Sequence, residues 1–145
     1  AAPKELLKAL AQRAAREQVP APPIQLPFSP SGSAQTLQFL GWLGVAVPDS
    51  IQRELLAAPD MLARSVELAV EAFAEIHAFA QRRGLAVGCN VESLTARPAE
   101  VDASVELVRR LHAHFALEHA LRRQLSADAA NLGLATEQRL RAGMH

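Results

Sequence analysis

The sequence predicts a helix-rich α/β fold with two parallel strands, with a mainly α-helical cluster as the alternative. Two apolar runs of strand length, residues 24–28 and 85–91, are separated by segments with helical periodicity. This order, a strand followed by a helical connection and a second strand, is typical of a right-handed crossover between parallel strands. Two strands cannot by themselves bury both faces of a sheet. We therefore expect the chain either to contribute to a larger α/β body or to be mostly helical.

Composition and charge exclude several classes of protein. The chain has 145 residues, of which 50% are apolar and 21% are charged, and its fifteen basic residues balance its fifteen acidic ones. Such a chain is globular rather than disordered, and it has no net charge to hold a nucleic acid or an anionic membrane surface. Its apolar stretches fall far short of the roughly 20 residues that cross a bilayer. We expect a cytoplasmic protein without nucleic-acid or membrane partners.

The first part of the chain has the pattern of a helix, a strand and a second helix. Residues 4–18 carry an apolar stripe at helical spacing, and the prolines that follow stop this helix. Prolines also bound the apolar run 24–28, which is too short for a helix and is predicted as a strand. Residues 29–33 combine serine, proline and glycine, and they predict a turn and a cap before a short apolar helix at residues 34–43.

The second part is dominated by helices. A short helix begins at Asp49, and Asp60 is a natural N-cap for a long amphipathic helix that should stop at Gly84. The apolar run 85–91 follows as the second strand. Pro98 suits the first position of the next helix, because its ring fixes a helical backbone angle and its missing N–H is not needed there.

We divide the chain into a first domain at residues 1–115 and a helical tail at residues 116–145. The tail is rich in alanine and leucine, and Asn131 and Gly133 predict an interruption of its helix. The chain starts Ala-Ala-Pro without an initiator methionine, so we expect something upstream to have been removed or left out. Whether the chain is a fragment or a stand-alone subunit stays open.

Two loops are candidates for chemistry, because the active sites of parallel α/β folds lie where strands lead into helices. In residues 28–33, hydroxyls and amides at a helix start could hold an anionic group, although Ser31 or Ser33 is better explained as a helix cap. The loop after the second strand brings together an amide, a carboxylate, hydroxyls and a guanidinium. There, Glu92 and Arg97 either meet a ligand or pair with each other or with neighbouring helices.

The residue pattern identifies no metal site and no catalytic residue. The histidines are most simply surface residues, since His112 and His114 point in different directions on one helix. His77 lies at the edge of the long apolar stripe and is expected to be packed. Cys89 is the single cysteine, which excludes an intrachain disulfide, and its apolar surroundings predict a small buried hydrophobe rather than a nucleophile.

Several short motifs occur in a distinctive order. They are Ile-Gln-Leu-Pro-Phe at 24–28, the helix at 33–43, Gly-Val-Ala-Val-Pro at 44–48, the long helix at 61–83, and the strand, loop and helix at 87–110. In this order and spacing, over about residues 3–112, they resemble the C-terminal part of the methylenetetrahydrofolate reductase family. The Asn-Val-Glu-Ser sequence at 90–93 is similar to that of bacterial members.

This resemblance implies the C-terminal portion of a (β/α)8 TIM barrel, with residues 24–28 and 85–91 as the seventh and eighth strands. It implies an oxidoreductase that uses FAD and a nicotinamide donor, NADH or NADPH, to reduce 5,10-methylenetetrahydrofolate to 5-methyltetrahydrofolate. The site residues that we predict with it are Arg97, Glu92 and Asn90 for the folate substrate, and Ser31 and Ser29 for the cofactor.

A whole barrel takes about 250 residues, and the family's catalytic carboxylates belong to strands that this chain lacks. We therefore expect these residues alone not to turn over folate. The expected partners are a folate and either a second copy of the chain or the rest of a barrel on the same or another chain. The alternative, from another functional class, is a non-catalytic helical interaction or oligomerisation module whose apolar stripes pack against a partner.

Overall fold

The structure, a computed structural model, describes residues 2–143 as five helices and two strands, and about 71% of these residues are helical. The chain divides into two compact units, Ala1–Arg110 and Leu111–His145. Among the described helices, none is long and apolar enough to span a membrane. In chain order the elements are α1 (Ala2–Glu17), β1 (Ile24–Phe28), α2 (Ala34–Trp42), α3 (Asp49–Ala57), α4 (Met61–Gln81), β2 (Val87–Val91) and α5 (Pro98–Gly143).

The two strands lie side by side and parallel, as the sequence predicts. Ile24 is opposite Val87 at one end of the pair, and Phe28 is opposite Val91 at the other. The main-chain N–H of Glu92 donates to the Phe28 carbonyl at 2.9 Å, which extends the ladder past the carboxyl ends of the strands. Both strands therefore deliver the residues that follow them to the same edge of the sheet.

The prediction that this pair forms part of a TIM barrel is wrong. Within residues 2–143, β1 and β2 form a two-stranded sheet, and helices make up most of the rest. The alternative, a mainly helical fold, is the better description. The physical reason is that the segments around the strands are long and amphipathic, so they bury apolar surface by helix packing rather than by adding strands.

The core of the first unit is built around α4, which contacts α1, α3 and β2. Phe73 is fully buried, and its ring meets Phe28 edge to face with centroids 6.0 Å apart. His77 is buried one turn further on and stacks against Phe73 at 5.3 Å, which confirms that it is a packed residue. Leu7 and Leu107 bring α1 and the start of α5 into the same buried set.

The predicted helix caps are confirmed. The Ser33 hydroxyl accepts a hydrogen bond from the Thr36 N–H at 3.2 Å, and the Asp60 carboxylate accepts one from the Ala63 N–H at 3.0 Å. Gly84 follows α4 with a φ of +67°, a conformation that glycine adopts without steric cost. These caps fix where α2 and α4 begin and where α4 ends.

The predicted break in the tail is wrong, because α5 continues through Asn131 and Gly133 as far as Gly143. One interior glycine destabilises a helix by about 1 kcal/mol relative to alanine. The alanines and leucines around Gly133 have high helix propensity, which offsets that loss. From residue 119 to residue 143 every described side chain is exposed. The exposed apolar side chains of the second unit include Leu117, Leu121, Leu125, Leu132, Leu134 and Leu140.

Candidate functional site

A cavity of about 550 Å³ opens at the carboxyl ends of the two strands. Phe28 and Ser29 come from the end of β1, and Glu92 and Leu94 come from the chain after β2. The walls are mainly apolar side chains of α2, α3 and α4, and three of them, Leu37, Leu40 and Leu55, form a buried cluster. These wall residues include Leu37, Leu40, Ile51, Leu55, Leu68 and Ala69.

Three carboxylates lie on the cavity lining, and no lysine, arginine or histidine among the described residues lines it. Two of the three pair with cations. Glu71 accepts a hydrogen bond from Arg64 at 3.2 Å, and Glu75 is bonded to Lys4. The hydrogen bond and the charge of Lys4 lower the pKa of Glu75 below its ordinary value. The third carboxylate, Glu92, accepts a hydrogen bond from a neutral amide instead.

Asn90 and Glu92 form a polar pair at the end of β2. The Asn90 amide nitrogen donates to the Glu92 carboxylate at 2.8 Å, and both residues are exposed. Strand alternation places positions 90 and 92 on the same face, which is why the two side chains meet. The structure thus brings together two of the residues predicted for folate, and Glu92 lines the cavity.

The two serines predicted for a cofactor both line the cavity, but Ser31 is committed to the fold. Ser31 is buried, and its N–H donates to the Ser65 hydroxyl at 3.0 Å. The Ser65 hydroxyl in turn donates to the Leu62 carbonyl at 2.8 Å. This chain of hydrogen bonds ties the loop after β1 to the start of α4, so the Ser31 amide is not free to bind an anion.

Arg97 lies outside the cavity lining. Its guanidinium donates to the Ser33 hydroxyl at 3.2 Å and to the Gln35 side-chain carbonyl at 2.9 Å. Of the two pairings that the sequence left open, Arg97 therefore has the one with a neighbouring helix, at the start of α2, and not the one with Glu92. The Arg97 side chain is exposed.

Glu100 is the buried charged group of this region, and the sequence analysis did not identify it. Its carboxylate accepts hydrogen bonds from the Thr36 hydroxyl at 2.8 Å, from the Gly32 N–H at 3.3 Å and from the Thr95 hydroxyl. Burial acts to raise its pKa, but these hydrogen bonds and the charge of Arg97 outweigh burial and lower it. A carboxylate at the third position of a helix is the one sequence signal that could have found it.

The cavity lining does not suit FAD, the cofactor that the resemblance implies. A flavin dinucleotide carries an anionic diphosphate, which proteins bind with cationic side chains or free amides. Here the charged groups are carboxylates, and the Ser31 amide is already used. FAD and the nicotinamide donor stay predictions from the resemblance, without support from this lining.

Cys89 is partly buried in β2, and burial raises the pKa of its thiol. A raised pKa leaves less thiolate at neutral pH, so the thiol is less reactive than a free cysteine. The sequence predicts a small buried residue here, and in the structure the side chain is only partly buried.

Comparison with known proteins gives a structural match that bears on function. The sequence matches no model of a known protein family, and it matches no curated protein. A solved structure is similar with a TM-score of 0.65 and 33% sequence identity, over 72% of this chain and 36% of that one. It is described as an uncharacterized protein from Clostridium thermocellum that binds two copies of 5-methyl-5,6,7,8-tetrahydrofolic acid. This chain spans about a third of the length of that folate-binding protein.

Proposed function

We propose that this chain is a reduced-folate-binding module and that the ligand occupies the cavity at the ends of β1 and β2. The observation that carries the proposal is the similarity, at 33% identity, to a protein that binds 5-methyltetrahydrofolate. The proposal agrees with the folate partner that the resemblance implies. It does not include a barrel or a flavin-dependent reduction.

The cavity has the properties of a small-molecule site. Its volume of about 550 Å³ falls within the usual range for such sites, and its walls are mostly apolar with a few polar groups at the rim. A pterin ring is flat and largely desolvated when bound, so apolar walls such as Leu40 and Leu68 suit its faces. Glu92 and Ser29 also line the cavity, and their side chains can form hydrogen bonds with a heterocycle.

A binding role is better supported than catalysis for this chain. The description of the structural neighbour names a bound folate and no reaction. The carboxylate of Glu100, the buried charged group near the cavity, is occupied by hydrogen bonds from Thr36, Thr95 and Gly32. A group held in this way fixes the loops around the cavity rather than moving a proton.

Filling the cavity is expected to abolish binding of 5-methyltetrahydrofolate. Ala69 on α4 lines the cavity, and the change Ala69→Trp places an indole in the space that the ligand needs. We expect the dissociation constant, measured by isothermal titration calorimetry, to rise at least about 100-fold, which corresponds to about 2.7 kcal/mol.

The matched control is Ala78→Trp, because Ala78 lies on the same helix, is exposed and does not line the cavity. This variant should bind as the wild type does. Equal binding by both tryptophan variants would place the ligand elsewhere, and a wild-type protein that does not bind 5-methyltetrahydrofolate would refute the proposal.

A second candidate function is helical association, which the exposed leucines of the second unit favour. Leu117, Leu121, Leu125 and Leu132 fall on one face of α5 by helical spacing, and each is more than half exposed. An isolated helix gains little stability without packing of its apolar face. A partner surface would provide that packing.

If the leucine face mediates self-association, the double change Leu121→Glu and Leu125→Glu should convert the protein to a monomer in sedimentation velocity. The reason is that two carboxylates cannot be buried at a helix interface without a large desolvation cost. The control is Leu6→Glu, which alters an exposed leucine of α1. A wild-type protein that is monomeric at all concentrations would argue against self-association.

A further inference from the structure

We infer that the pterin end of the folate enters the cavity with its amino and ring N–H groups directed at the Glu92 carboxylate, while the anionic glutamate tail stays outside. This inference rests on the proposed folate-binding function. It adds the orientation of the ligand and the residue that recognises it.

The charges of the cavity distinguish the two ends of a reduced folate. The tail carries carboxylates at neutral pH, whereas the pterin is uncharged and presents an amino group beside a ring N–H. The cavity lining contains Glu71, Glu75 and Glu92 and, among the described residues, no cationic side chain. All three carboxylates are exposed, so water screens their repulsion of an anion, but no cationic side chain on the described lining attracts one. An anionic tail is therefore disfavoured inside, and a group with two adjacent donors is favoured.

Glu92 is the carboxylate best placed to accept from those donors. Glu71 and Glu75 are bonded to the cations Arg64 and Lys4, which occupy part of their acceptor capacity. Glu92 accepts from the neutral Asn90 amide, and its carboxylate can accept more hydrogen bonds than this one.

The backbone around Glu92 fixes its position at the cavity. Its N–H is bonded to the Phe28 carbonyl, so the residue continues the strand ladder and does not hang from a free loop. Phe28 also lines the cavity, so the last residue of β1 and the residue after β2 border the same space. The Glu92 carboxylate is therefore held at the cavity by the strand pair itself.

The test uses the whole chain and three probes in isothermal titration calorimetry. The probes are 5-methyltetrahydrofolate, the tail-less 6-methyltetrahydropterin, and p-aminobenzoylglutamate, which is the tail alone. We expect the two pterin compounds to bind and the tail fragment not to bind. The change Glu92→Gln removes the charge of the side chain but keeps its size. It should raise the dissociation constants of both pterin compounds by about 10-fold or more, as the loss of a charged hydrogen bond does.

The control is Glu5→Gln, which makes the same chemical change at an exposed position outside the cavity lining. It should leave the affinity of all three probes unchanged. If the wild type binds 5-methyltetrahydrofolate but Glu92→Gln binds it equally well, or if the tail fragment binds and the tetrahydropterin does not, the orientation is overturned and the proposed function stands. If the wild type binds no 5-methyltetrahydrofolate, the proposed function itself fails.

Discussion

Replacement of Phe73 by alanine is expected to lower the free energy of unfolding by about 4 kcal/mol, the usual cost of truncating a buried aromatic side chain. Phe73 has 0% exposure, and its ring contacts Phe28 from β1 and His77 from α4. The change leaves a cavity at the place where the sheet meets the longest helix of the first unit. Urea unfolding followed by far-ultraviolet circular dichroism measures the loss.

The comparison residue for this prediction is Phe39, which is 40% exposed and stacks on the highly exposed Trp42. Phe39→Ala should cost about 1 kcal/mol or less, because about 40% of the Phe39 surface is already in contact with water and its ring partner is exposed. Similar losses for the two variants would show that Phe73 is not the centre of the core.

Replacement of Glu100 by alanine is expected to cost about 3 kcal/mol, because buried donors that lose a charged acceptor keep the full penalty of their desolvation. The variant leaves the Thr36 and Thr95 hydroxyls and the Gly32 N–H without their shared acceptor. Glu5→Ala, at an exposed position, should change the free energy of unfolding by less than about 0.5 kcal/mol. A loss of that small size for Glu100→Ala would mean that the three donors find other partners.

The same carboxylate predicts a dependence of stability on pH. Its pKa in the folded chain lies below the ordinary value of 4.5, so the folded state favours the ionised form. This contribution is present above the unfolded pKa and is lost as the pH falls through the folded pKa. Glu75 has a lowered pKa of the same sign, so we compare the wild type with Glu100→Gln. The wild type should lose more stability than the variant in acid, and parallel pH profiles would contradict the prediction.

Much of the local structure could be predicted because its signals are local. Prolines bound the run 24–28, Asp60 caps α4, and Gly84 has the positive φ that ends it. Each of these features acts within a few residues of its position in the chain. The pairing of the strands could also be predicted, since a helical connection between two apolar runs favours a parallel crossover.

The hydrogen bonds to the Glu100 carboxylate and the cavity could not be predicted in the same way. Glu100 meets Gly32 and Thr36 across more than sixty residues of sequence, and no local pattern specifies that contact. The cavity depends on how α2, α3 and α4 leave space between them, which is a property of packing. The two strands were predicted correctly, but the barrel around them was wrong, because it was inferred from the order of short motifs, which does not specify the fold in which a strand pair is placed.

The register of the strand pair has a consequence for how the chain folds. Ile24 pairs with Val87, so the chain must close a loop of about sixty residues before the sheet can form. Closing so long a loop lowers the chain entropy before any hydrogen bond between the strands can form and offset that loss. We therefore expect α4 to form early and the strands to pair late, near the end of the folding reaction.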